Sequence, residues 1–109
     1  MTKSSIRTFT AEILICGDFG DAKRVCRRDC NDVGLCVTII PSEYVYTGGA
    51  ESGIIVRLIH YPRFGAKQGA ILDKARALAE LLRKELGQDS YCVLHKSYTD
   101  WVSYRDEHR

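Results

Sequence analysis

The side chains in this sequence that most directly suggest metal binding or catalysis are five cysteines and three histidines. Cys26 and Cys30 lie four residues apart in an amphipathic segment, on the same side as Val25 and Val33, and the chain has no C-x-x-C pair. Zinc sites usually present closely spaced thiols, whereas thiols on an apolar helix face are ordinary buried side chains. The sequence therefore predicts no metal site, and it predicts reduced thiols in a cytoplasmic protein.

One histidine lies in a pattern that could support phosphodiester chemistry. Enzymes of that type pair two His-x-Ser/Thr motifs, so that one imidazole acts as the base and the other as the acid. His95-Lys96-Ser97 fits the motif, but His60-Tyr61-Pro62 lacks the hydroxyl residue. A phosphodiesterase that uses His95 and Ser97 therefore stays an alternative. Because no other constellation points to a reaction, we expect a protein that is not an enzyme and needs no cofactor.

The segment from residue 61 to residue 69 could bind an anion. It combines Arg63 and Lys67 with Gly65 and lies directly before a predicted helix, whose free amides would add to the two cations. It is not a Walker A loop, since Lys67 is not followed by serine or threonine. The 63–69 loop thus supports a second alternative, a sponge or sensor that binds a nucleotide or cyclic nucleotide.

The elements that must position these residues follow from hydrophobic periodicity. Asp18 is suited to cap the first helix, which ends at Gly34, and Pro41 indicates a bulge or an edge strand. Residues 47–53 are expected to form a flexible connection at the tip of a projecting hairpin. The predicted elements are strands at 7–16, 35–46, 54–61, 91–96 and 101–104, and helices at about 22–33 and 72–86.

This β-α-β-β-α-β order, with one more strand at the end, resembles the ferredoxin-like split βαβ arrangement over residues 7–104. The resemblance implies an α+β fold in which two helices cover one face of an antiparallel sheet and the other face stays open. The length of 109 residues predicts a single domain, 1–109. The longest apolar runs are only a few residues, so no membrane contact is expected.

The open sheet face is predicted to be rich in apolar and aromatic side chains. If Ile54, Val56 and Leu58 face the helices, alternate residues of the same strand point away from them. Such a surface has the composition of protein interfaces. Its expected occupant is a protein effector or nucleoprotein complex, a second copy in a homodimer, or the C-terminal hairpin. The predicted binding residues are Tyr44, Tyr46, Arg57, Ile59 and Tyr61.

Direct nucleic-acid binding is not expected. The net charge is only +2, and the strand at 53–59 is aliphatic where an RNA-recognition domain carries stacking rings.

Compact single-domain proteins with an aromatic surface and no catalytic motif are similar to the inhibitors that bacteriophages encode against host immunity, including anti-CRISPR proteins. The similarity rests on size, topology and the absence of active-site signatures. It implies a non-enzymatic inhibitor that acts in the host cytoplasm, through the open face and the 47–53 hairpin.

Overall fold

The computed structural model describes residues 7–59 and 68–105, together with residues 1, 3 and 5. Five strands form one sheet in the order β2-β3-β1-β4-β5, and every neighbouring pair is antiparallel. Both helices pack on the same face, so the predicted ferredoxin-like α+β fold with an extra strand is confirmed. The elements are β1 Thr10–Cys16, α1 Phe19–Val33, β2 Val37–Tyr46, β3 Gly49–Ile59, α2 Gln68–Glu85, β4 Ser90–His95 and β5 Tyr98–Ser103.

The core lies between the sheet and the helices. In the central strand β1, Ala11, Ile13 and Ile15 are buried, while the residues between them are partly exposed on the other face. This alternation is the period of two that predicted the strand. The helices contribute a complementary apolar stripe, with Ala22, Val25 and Cys26 from α1, and Ile71, Ala75, Leu78, Ala79 and Leu82 from α2.

Local signals fix the ends of α1 as predicted. The Asp18 carboxylate accepts a hydrogen bond from the Asp21 amide at 2.9 Å, and therefore satisfies a donor that the first helical turn leaves free. At the other end Gly34 has a φ of 66°, which favours glycine, and its amide donates to the Cys30 carbonyl. Neither described helix is long and apolar enough to cross a membrane.

The prediction of a flexible 47–53 connection is wrong. β2 and β3 continue to a tight turn at Thr47 and Gly48, with Gly48 at a φ of 89°. The pairing of Ser42 with Gly53 continues without a break to Tyr46 with Gly49, beyond the end of β1. Residues 47–53 are therefore the turn and the start of a long strand. Successive side chains of that strand point to opposite faces of the sheet.

Two smaller expectations concern Pro41 and the C-terminal hairpin. Pro41 lies on the edge strand β2, as predicted, and stays in register opposite Ile54. The last connection is shorter than predicted, because β5 begins at Tyr98 and the turn occupies Lys96 and Ser97. This shift extends β5 and pairs Trp101 with Cys92.

Candidate functional site

The open face of the sheet carries a groove of about 210 Å³ near the β2–β3 hairpin. Four strands contribute to it, because residues that alternate along each strand meet side by side across the ladder. Its lining is mainly apolar and aromatic. The lining residues are Leu14, Ile15, Cys16, Tyr44, Ser90, Tyr91, Cys92 and Trp101.

Trp101 forms one wall of the groove. It lies on the edge strand β5 opposite Cys92, and its side chain is 64% exposed. A large ring with this much free surface adds little to the core. It offers a flat platform on which another aromatic ring can stack.

Tyr44 forms the other end of the groove, and Gly53 makes its position possible. A Cβ atom at Gly53 would lie 2.5 Å from Cε2 of Tyr44 and 2.5 Å from the carbonyl oxygen of Ile15. Because glycine has no side chain, the tyrosine ring lies directly over the backbone. Its hydroxyl donates a hydrogen bond of 2.6 Å to the Ile54 carbonyl, and burial raises the pKa of Tyr44 to about 12. The Tyr44 ring is therefore held by its packing on Gly53 and by its hydroxyl hydrogen bond to Ile54.

Glu51 adds a carboxylate beside this end of the groove. It pairs with Tyr44 across the β2–β3 ladder and so occupies the same face. Burial, together with the nearby Glu51 carboxylate, raises the pKa of the Cys16 thiol to about 11. Desolvation and the same carboxylate also raise the pKa of Tyr46. Glu51 is thus flanked by a thiol and a phenol that both stay protonated at neutral pH.

The predicted partner-binding residues separate into two groups. Tyr44 and Tyr46 lie at the hairpin end, beside Glu51. Arg57 and Ile59 lie farther along β3, where Nε of Arg57 donates to Oε2 of Glu12 at 2.7 Å. Partner binding by these four residues stays a prediction, and so does binding by Tyr61, which lies outside the described residues. The predicted anion-binding residues Arg63, Gly65 and Lys67 also lie outside them.

His95 does not have the surroundings of an acid–base residue. It faces the helices, is 9% exposed, and its Nε2 lies 3.1 Å from the Asp100 carboxylate. Nε of Arg76 donates to the same carboxylate at 2.8 Å, and both partners lower the pKa of Asp100. His95 is therefore held in a buried polar contact rather than presented to a groove, which removes the basis of the phosphodiesterase alternative. His60 lies outside the described residues.

Sequence reasoning missed Glu51, Cys16 and Cys92 as site residues and treated Trp101 only as a possible cover. The signal that could have found Glu51 is the period-two pattern of Gly49, Glu51 and Gly53. Reading residues 47–53 as a flexible connection hid it.

The class that the fold defines is the ferredoxin-like α+β sandwich with one open sheet face, and two solved structures share it over nearly the whole chain. One is described as phage SAM lyase in complex with S-methyl-5'-thioadenosine. It has a TM-score of 0.67 and 19% sequence identity, and the match covers 94% of this chain and 95% of that one. The other is phage SAM lyase in the apo state, with a TM-score of 0.60, 22% identity and coverage of 93% and 91%.

No protein-family model matches the sequence, and no curated protein matches it significantly. At these identities the structural likeness establishes a shared fold.

These comparisons contradict the expectation of a non-enzymatic inhibitor. The fold that was read as that of a binding protein is also the fold of a phage enzyme that binds a nucleoside thioether. The missing catalytic motif was therefore not evidence against catalysis, because a site assembled from four strands leaves no local motif. The fold is shared with a phage protein, whereas the likeness to anti-CRISPR proteins finds no support in these comparisons.

Proposed function

We propose that this protein is a lyase that binds S-adenosylmethionine (SAM) in the groove and releases S-methyl-5'-thioadenosine. The observation that carries the proposal is the groove itself. Aromatic rings and a carboxylate meet on the open face of a fold shared with phage SAM lyase. The neutral thioether named with that structure is what remains of SAM once its four-carbon amino-acid chain has left.

The groove matches the two chemical features of SAM that are farthest from its amino acid. The adenine ring can stack on the exposed indole of Trp101, since every nucleobase offers a π-face. The sulfonium is a cation, and cations are attracted to the faces of aromatic rings and to carboxylates. Tyr44, Tyr46 and Glu51 supply both at the hairpin end.

The size of the groove indicates which part of SAM it would hold. Sites for drug-sized ligands usually enclose roughly 300–1,000 Å³, and this groove holds about 210 Å³. It therefore suits the base, the thioether and the adjoining γ-carbon, and the amino-acid chain would lie at the end of the groove beside Glu51.

The reaction breaks the bond between the sulfonium sulfur and the γ-carbon of the amino-acid chain. The bonding electron pair stays on sulfur, which leaves as the neutral thioether. The four-carbon fragment then has two balanced outcomes. Its own carboxylate attacks the γ-carbon and closes a lactone with no net proton change, or the β-carbon loses a proton and an alkene forms. The second route needs a base, for which Glu51 is the candidate.

The apolar lining favours the lactone route. In that route a carboxylate and a sulfonium combine, so charge disappears in the transition state. Water stabilises the separated charges of the reactant, whereas a groove lined by Leu14, two thiols and three aromatic rings does so much less. Moving the reacting atoms out of water therefore lowers the barrier.

The test is to incubate the purified protein with SAM and measure the thioether by liquid chromatography and mass spectrometry. A protein-free sample gives the spontaneous rate, and the mass of the four-carbon product distinguishes lactone from alkene. Trp101→Ala and Glu51→Gln should both lower the rate. Tyr98→Ala and Glu43→Gln, on the same two hairpins, serve as controls. Release no faster than in buffer overturns the proposal.

A further inference from the structure

Cys16 occupies a position in the site that its role in β1 does not explain. It is the last residue of β1 and pairs with Gly53, and the register of β3 with β1 and β2 places its side chain on the same open face as Glu51 and Tyr44. It also lines the groove directly. A hydrophobic residue would fill this position equally well, so the thiol itself needs an explanation.

We propose that Cys16 is a positioning residue for Glu51: its S–H donates to the Glu51 carboxylate and holds that group toward the sulfonium end of the groove. The proposal rests on the proposed function, since it assigns a task to a side chain of the same site. The strand β3 ends its pairing with β1 at Gly53, so Glu51 lies just past the last rung of the central strand. A donor from the end of β1 would therefore fix a side chain that is paired only with β2 at this point.

The charges around the thiol are consistent with a donor. The titratable groups facing it are Glu51 from β3, Tyr44 and Tyr46 from β2, and Cys92 from β4, and Arg105 acts on Tyr46. The carboxylate and the apolar lining both disfavour a thiolate at Cys16. The thiol keeps its proton for the hydrogen bond, and as the neutral form it is a poor nucleophile toward an alkylating sulfonium.

The first experiment tests the contact without using the activity. Iodoacetamide alkylation of Cys16 and Cys92 is followed from pH 7 to pH 11 by peptide mass spectrometry, in the unmodified protein and in Glu51→Gln. We expect the midpoint of the Cys16 profile to move down by about one pH unit in the variant. That shift corresponds to an approximately tenfold faster alkylation near pH 8.5.

Cys92 is the matched control, because it lines the same groove and only desolvation raises its pKa. Its profile should not move in Glu51→Gln. Local opening of the groove would speed the alkylation of both thiols, whereas loss of the carboxylate moves the midpoint of Cys16 alone. An unchanged Cys16 midpoint overturns the proposal.

The second experiment measures the SAM reaction in Cys16→Ala and Cys16→Ser. Alanine removes the donor and should lower kcat/KM by about tenfold, the size of one hydrogen bond to a charged group. Serine restores a donor and should recover most of that loss, which a purely structural role would not predict. If alanine leaves kcat/KM unchanged, the positioning role is overturned while the lyase activity stands. If the unmodified protein releases no thioether, the proposed function fails first and the positioning role falls with it.

Discussion

Replacing Trp101 with alanine removes the largest aromatic surface of the groove and should weaken nucleoside binding without affecting the fold. The indole is 64% exposed on an edge strand, and exposed substitutions usually change the free energy of unfolding by less than about 0.5 kcal/mol. Stacking of one base on an aromatic side chain contributes roughly 1–3 kcal/mol. The Kd for S-methyl-5'-thioadenosine should therefore rise by roughly 5- to 150-fold.

The composition of the chain makes this assay direct. Trp101 is the only tryptophan in the sequence, so its emission reports on the groove alone. Titration with S-methyl-5'-thioadenosine should give a saturable change in that emission, and calorimetry gives the Kd of both proteins. Tyr98→Ala is the control, because Tyr98 is 69% exposed on the same strand but stacks against His95 on the opposite face.

Two results would refute this reasoning. One is calorimetric binding that leaves the tryptophan emission unchanged, since the ligand would then lie elsewhere. The other is a Kd in Trp101→Ala equal to that of the unmodified protein. Either result would remove the groove from the proposed function.

Three further predictions follow from the same geometry. Glu51→Gln should weaken binding of cationic SAM more than binding of its neutral thioether, with Glu43→Gln as the control on the same hairpin; equal losses for both ligands would contradict the charge argument. Gly53→Ala should lower the free energy of unfolding in urea by about 1–3 kcal/mol, because the new Cβ would clash with the Tyr44 ring; a small stability gain would contradict it. Stability should fall above about pH 9 through Cys26 and above about pH 10 through Tyr44, because the native state raises their pKa values to about 12 from 9.0 and 10.0 and keeps protons that the unfolded chain releases. Over its own range each group lowers stability by up to about 1.4 kcal/mol per pH unit. Urea melts at pH 7.5 and pH 10.5 test this, and equal midpoints would contradict it.

The fold could be predicted from the sequence because its determinants are local. Asp18 and Gly34 mark the ends of α1, and the apolar stripe of α2 repeats every three or four residues. Each of these signals depends only on residues of the same element and not on the elements that pack against it. The order of the elements then leaves few ways to cover one face of the sheet.

The site could not be predicted in the same way because its residues meet only through strand pairing. Cys16 and Glu51 are 35 positions apart, and nothing in either neighbourhood indicates the other. The register of β1 with β3 brings them together, and a shift of one residue would turn Glu51 to the other face. The glycines of residues 47–53 also predict a flexible connection when only the sequence is considered. In the structure only Gly48 has the positive φ of a turn, whereas Gly53 makes room for a ring.

The same argument explains how this chain can share its fold with phage SAM lyase at 19% and 22% identity and still match no family model. The proposed site takes its groove lining from four strands and Glu51 from the fifth. It therefore constrains scattered positions on one face of the sheet rather than a continuous run of residues. The helix-facing positions need only to stay apolar and can exchange among themselves. Relatives should therefore agree less in sequence than in a few pairs across the ladder. The pairs most informative here are Tyr44 with Glu51 and Cys92 with Trp101, because each joins two side chains of the proposed site.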